Sequence, residues 1–151
     1  MEVLVWLEMS SIGLWVSTSV WGYPIVLTLH TLGMGTLVGL SLMIALRVLG
    51  MGNGIPLERI NLFWKWALIG FVVNLVSGST LFIGNASSFW YSWPLRIKLL
   101  LICAGLLMTH RLVNSVAKDS QRIMKHKAQA IVAMVCWLGA LIAGRLIAYI
   151  F

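Results

Sequence analysis

The chain has 151 residues, of which 60% are hydrophobic and 10% charged, and a formal net charge of +7. Soluble domains carry about 25% charged residues, so this composition excludes an ordinary soluble globular domain. The absence of a solvated basic face argues against nucleic acid as a partner, and the lipid bilayer takes its place.

Residues 1–20 come first. Val3, Leu4, Trp6, Leu7, Ile12, Leu14, Trp15 and Val16 are apolar, interrupted by Glu2, Glu8, Ser10 and Ser11. The stretch lacks the basic start and small-residue cleavage site of a signal peptide. It reads as an interfacial helix lying along the membrane. Four apolar runs follow, each near the roughly 20 residues that cross a hydrocarbon core of about 30 Å. The first covers residues 23–49, opened by Pro24 and closed by the glycine-rich turn Gly50–Pro56. The second covers 62–83. The third covers 94–116, with Pro94 as a first-turn residue. The fourth covers 128–151. The expected fold class is all-α: one membrane domain over residues 1–151, a four-helix up–down bundle preceded by an interfacial helix.

Basic residues set the orientation. Arg47, Arg59, Lys65, Arg111, Lys118, Arg122, Lys125 and Lys127 fall on one side of this topology. The other side has only Arg96, Lys98 and Arg145, all inside predicted helices, with the acidic Glu2 and Glu8. The expectation is a multi-pass protein of a bacterial inner membrane with cytoplasmic basic loops and both termini periplasmic. Trp15, Trp21, Tyr23, Trp90, Tyr91, Trp93 and Tyr149 form an aromatic belt at the outer ends. Cys103 and Cys136 differ in depth by roughly 10 Å, too far for a disulfide. The eight methionines are scattered rather than spaced as a copper-conducting pore.

Ionisable groups inside a membrane are costly and point to function. His30 lies six residues past Pro24, roughly 9 Å deep, and Lys98 four past Pro94, roughly 6 Å deep. Arg145 lies roughly 9 Å from the C-terminal end of its helix, and Asn74 and Ser77 return to the same outer half. His110 is roughly 24 Å below Pro94 and points about 120° away from Lys98. Lys98, Ile102, Gly105 and Thr109 share one face of the third helix, and Gly70, Asn74, Ser77 and Leu81 one face of the second. Gly35 and Gly39 point away from His30 as a small-xxx-small seam.

Haem suits such a layer. His30 supplies an axial imidazole and Lys98 an amine from across the bundle, so these two are the expected metal ligands. Gly33 and Gly78 leave room for a flat macrocycle, and Arg145 pairs with a propionate. Asn74 and Ser77 are neutral partners. The competing readings are structural. His30 is then a buried histidine bonded to a neighbouring hydroxyl, Lys98 and Arg145 snorkel to the interface, and the glycines pack helices.

The stretches Trp21-Gly22-Tyr23-Pro24, Leu29-His30-Thr31-Leu32-Gly33-Met34 and Leu46-Arg47-Val48-Leu49-Gly50 resemble a family of small bacterial four-helix membrane proteins. Arg96-Ile97-Lys98-Leu99-Leu100-Leu101 and Gly144-Arg145-Leu146-Ile147-Ala148-Tyr149 fit the same pattern. More distantly the chain resembles HemJ-type protoporphyrinogen oxidases and the membrane domain of copper-resistance D proteins. That resemblance implies haem-linked roles for a first-helix histidine and a third-helix lysine, here His30 and Lys98. Three functions stand from the sequence. The first is a haem b protein in electron transfer, a subunit or partner of a larger redox assembly drawing on quinone. The second is an oxidase of a porphyrinogen or another hydrophobic substrate. The third is a cofactor-free anchor or assembly subunit.

Overall fold

A computed structural model describes residues 2–51, 54–118 and 126–150. Arg122 and Lys125, assigned to the second basic connection, lie outside the described residues, as do the terminal Met1 and Phe151. The described residues form seven α-helices and one 3-10 turn, with no strand among them. The helices are α1 (Glu2–Glu8), α2 (Ser11–Thr18), α3 (Gly22–Leu49), α4 (Ile60–Gly84), α5 (Ala86–Trp90), α6 (Trp93–Lys118) and α7 (Lys127–Ile150). Four segments, built on α3, α4, α6 and α7, are long and apolar enough to cross a membrane.

Local chemistry sets the ends. Pro94 sits in the first turn of α6, where an N–H has no intrahelical acceptor to lose. Gly50 closes α3 in the left-handed region at φ 91°, which its missing Cβ permits. Its N–H donates to Arg47 O, and Met51 N–H donates to Leu46 O, the paired bonds of a Schellman stop. Arg47 Nε then donates to Ile55 O at 2.6 Å and ties the turn to the helix end.

The N-terminal segment is two helices rather than the single one expected over 1–20. Ser10 makes the break: its hydroxyl caps α2 by accepting from Gly13 N–H at 3.1 Å. Val16 of α2 presses on Gly84, where an added Cβ would stand 2.8 Å from Val16 Cγ1. Glu8 closes α1 onto α5. Its Oε1 accepts from Ser87 N–H at 2.8 Å and from Ser87 Oγ–H at 2.7 Å. These two bonds hold the Glu8 carboxyl below the usual carboxylate range.

α3 packs on α4 and α7, and α6 packs on α7. Between them lies a dry core of Leu37, Ile44, Val48, Ile60, Trp64, Leu112, Val113 and Trp137. Gly33 and Gly70 let α3 and α4 touch along their backbones. A Cβ on Gly33 would stand 2.8 Å from Asn74 N and 2.9 Å from Gly70 O. Close backbone approach of this kind drives helix association where lipid supplies no hydrophobic force. Gly35 and Gly39, the expected seam, have nothing within 4 Å of an added Cβ. They face outward, and the packing glycine is Gly33. Trp137, fully buried, lies against Gly105 and donates from Nε1 to Thr109 Oγ1 at 3.0 Å. Cys103 and Cys136 are free thiols.

Candidate functional site

His30 of α3, Asn74 and Ser77 of α4 and Lys98 of α6 meet beside the core, where Leu37 belongs both to the core and to the wall of the adjoining cavity. His30 projects from α3 onto α4, which offers Gly78 at the point of contact. A Cβ there would stand 3.0 Å from His30 Cε1 and 3.3 Å from Nδ1. The ring is therefore seated on a glycine and held by its neighbours. Nδ1 lies 3.2 Å from Asn74 O and 3.2 Å from Ser77 Oγ. The Ser77 hydroxyl donates to Val73 O at 2.6 Å, so its oxygen is left as an acceptor toward the imidazole. Both neighbours of Nδ1 accept, and so Nδ1 carries the proton. Nε2 keeps its lone pair and faces Lys98 Nζ, which donates to it at 3.2 Å.

Lys98 is 9% exposed and reaches this point along α7. A Cβ on Gly144 would stand 3.4 Å from both Lys98 Cε and Nζ, so Gly144 forms the wall of the lysine channel. Asn74 and Ser77 are buried beside the histidine. A cavity of about 1330 Å³ opens from this cluster. Its walls include Leu27, Phe71, Phe82, Phe89, Leu99 and Ile102, and its polar edges include His30, Asn74, Lys98 and Arg96. Val16 and Ser17 of α2 and Trp90 of α5 also line it, so α2 and α5 border the cavity.

The depth argument grouped five residues, with Gly33 added as room for a macrocycle, and the structure brings four of the six together: His30, Lys98, Asn74 and Ser77. Gly33 is near but does not widen the cavity, because the backbone of α4 fills the space above it. Arg145 stands apart. It is exposed and lines a separate groove with Leu141, Ile142, Leu146 and Tyr149. The reason is helical phase. Gly144 lies seven residues, or about two turns, from buried Trp137 and so continues the inward stripe, and its neighbour turns about 100° away. His110 is also remote from the cluster: it is exposed, lies 3.0 Å from Asn114 Nδ2, and leans on Trp64 at 6.1 Å between ring centroids.

The sequence reading missed Gly144 and Arg96 as members of the site. The inward stripe Ala130, Ala133, Trp137, Ala140 could have found Gly144. No local signal marks Arg96, which stands on the shoulder of the α6 face that carries Leu95, Lys98, Leu99 and Ile102.

The arrangement can do two things chemically. An imidazole whose Nδ1–H is fixed to a backbone carbonyl presents Nε2 in the orientation that metal-bound histidines adopt. A second nitrogen, Lys98 Nζ, stands at the same point on a flexible stem. The large apolar walls suit a flat hydrophobic group, and the wall glycines 78 and 144 take no space from it. His30 Nε2 and Lys98 Nζ are thus the two nitrogens here that could hold a metal or cofactor. Among the described residues no cluster of three or more His, Cys, Asp or Glu offers an alternative metal site. No protein-family model, no curated protein and no solved structure matches the chain.

Proposed function

We propose that the protein is a haem b-binding, multi-pass membrane protein that transfers electrons as a subunit or partner of a larger redox assembly, with quinone as the candidate donor. The observation that carries this reading is the His30 geometry: Nδ1–H fixed to Asn74 O, and Nε2 beside a second nitrogen, Lys98 Nζ at 3.2 Å, where both side chains line a large apolar cavity. When bound, haem supplies one-electron chemistry. The chain's own residues do the rest. His30 would hold the iron through Nε2, Asn74 and Ser77 fix the ring through Nδ1, and Lys98 would give up its contact with Nε2 to serve as a second nitrogen. The aromatic and aliphatic walls exclude water. The resemblance to HemJ-type proteins points to the same His30 and Lys98.

In this reading the four long helices run up and down through a bacterial inner membrane. His30 in the first half of α3 meets Asn74 and Ser77 in the second half of α4, and Gly144 in the last part of α7 meets Lys98 in the first part of α6. Those pairings support alternating directions. The basic connections then face the cytoplasm and both termini the periplasm, with α1 and α2 along the outer interface.

A second reading is favoured by one observation. Lys98 and His30 satisfy each other directly at 3.2 Å, as a cofactor-free anchor subunit would require. The pigment of the purified full-length protein separates the two. The haem reading expects a Soret band and b-type α-bands on reduction, lost in His30→Ala and kept in His110→Ala. A colourless cofactor-replete preparation, or an unchanged spectrum in His30→Ala, overturns it. Porphyrinogen oxidation by the pigmented protein would make the same cavity the site of an oxidase.

A further inference from the structure

The cavity carries a charge sign. Among the described residues its lining includes Lys98 and Arg96 and no aspartate or glutamate. Lys98 is committed to His30. Arg96 is not so occupied. It lies in the first turn of α6, exposed at the cavity edge. Its Nη2 donates to Trp90 O at 3.2 Å, and its guanidinium sits 5.3 Å from the centre of the Trp93 ring. These two contacts orient the guanidinium plane and spend one of its five N–H donors. No carboxylate pairs with it among the described residues. A guanidinium aimed by a carbonyl and an aromatic face, beside an apolar cavity without acidic groups, suits an anionic oxygen pair.

We infer that Arg96, rather than Arg145, anchors the acidic group of this cavity's ligand, and that the ligand class is an amphipathic acid with a broad apolar body. Resting on the haem reading, that acid is a tetrapyrrole propionate. Trp90 and Trp93 are positioning residues for the guanidinium. Arg145 has hydrophobic groove neighbours and no place in the lining, so it does not compete for the role.

A lipid phosphate at the interface offers the same chemistry, and the test separates the sources. Full-length protein is placed in nanodiscs of phosphatidylcholine, and in a second set containing phosphatidylglycerol. Loss of hemin to excess apomyoglobin is timed for wild type, Arg96→Leu, Arg96→Lys and Arg145→Leu, and repeated with hemin dimethyl ester, which has no free carboxylate. Removing a charge-assisted bidentate contact speeds hemin loss about tenfold or more in Arg96→Leu. Arg96→Lys falls between, Arg145→Leu matches wild type, and the ester is lost at one rate from all four. Equal hemin loss from wild type and Arg96→Leu overturns the assignment. So does an effect of Arg96→Leu that is as large for the ester, or one present only with phosphatidylglycerol. If wild type takes up no hemin, the haem reading falls by itself. A dansyl-labelled undecanoic acid and its methyl ester, read by energy transfer from tryptophan, then decide Arg96. Weaker uptake of the acid alone in Arg96→Leu sustains the anchor, and no difference removes it.

Discussion

Gly78→Ala probes the seat of His30 with a single methyl group. The added Cβ would stand 3.0 Å from Cε1 and 3.3 Å from Nδ1, tighter than ordinary carbon contacts of about 3.5 Å. The ring must therefore move off α4 by a few tenths of an ångström. Its bonds from Nδ1 to Asn74 O and Ser77 Oγ are already 3.2 Å long. The same displacement takes them to about 3.6 Å, where they no longer count as hydrogen bonds. Intramembrane hydrogen bonds are worth about 0.6 kcal/mol on average. Losing two, with residual strain in the ring, costs about 1–2 kcal/mol. Alanine also gains helix propensity over glycine, and that gain must be cancelled. Gly35→Ala does this: it lies on the same helix as His30, and its Cβ meets nothing within 4 Å. The assay is unfolding in graded SDS–detergent mixtures, run on both variants. Gly78→Ala is expected to be less stable than Gly35→Ala by about 1–2 kcal/mol, and to shift any Soret band, while Gly35→Ala leaves the band in place. Equal stabilities and equal spectra would refute the seating of His30 on α4.

Other contacts give independent tests. Gly33→Ala forces a Cβ to 2.8–2.9 Å from the α4 backbone, which cannot rotate away as a side chain would; a loss of about 1–3 kcal/mol is expected in the same SDS titration. Gly70→Ala meets Gly33 O and Leu37 N at 2.9 Å and should behave alike. Thr109→Val removes the acceptor of the buried Trp137 Nε1–H; a cycle with Trp137→Phe should give a coupling of about 0.6–1.7 kcal/mol, and zero coupling would show the bond contributes nothing. Glu8 gives a pH signature. Its carboxyl is held low by Ser87, so the tie between α1 and α5 is fully present above the ordinary carboxyl range and is lost as pH falls through the lowered value. Amide exchange of residues 2–8 should therefore quicken in acid for wild type, and should be fast and nearly pH-independent, after correction for intrinsic exchange, in Glu8→Gln.

Depth along the helices was legible in the sequence because it needs only the rise of 1.5 Å per residue and a fixed end, here Pro24 and Pro94. That arithmetic brought His30, Lys98, Asn74 and Ser77 to one level. Rotation about each helix was less legible. A soluble helix declares its inward face by polarity, but in a lipid-spanning helix both faces are apolar and the hydrophobic pattern fades. Gly33 and Gly35 show the consequence. Both are small residues beside the histidine, yet only Gly33 meets a partner, because Gly70 and Asn74 offer it bare backbone. Arg145 fails for the same reason. Its depth suits the polar layer, but Gly144 holds the inward position and the arginine is carried round to the outside. The N-terminal break was hidden differently. Ser10 and Glu8 look like polar interruptions of one interfacial helix, and each instead binds something: Ser10 caps α2, and Glu8 reaches 79 residues along the chain to Ser87. A polar residue in a membrane chain must find a partner wherever one exists. The sequence supplies the need and the fold supplies the partner, and for His30 both ring nitrogens find one: Asn74 O and Ser77 Oγ at Nδ1, and Lys98 Nζ at Nε2.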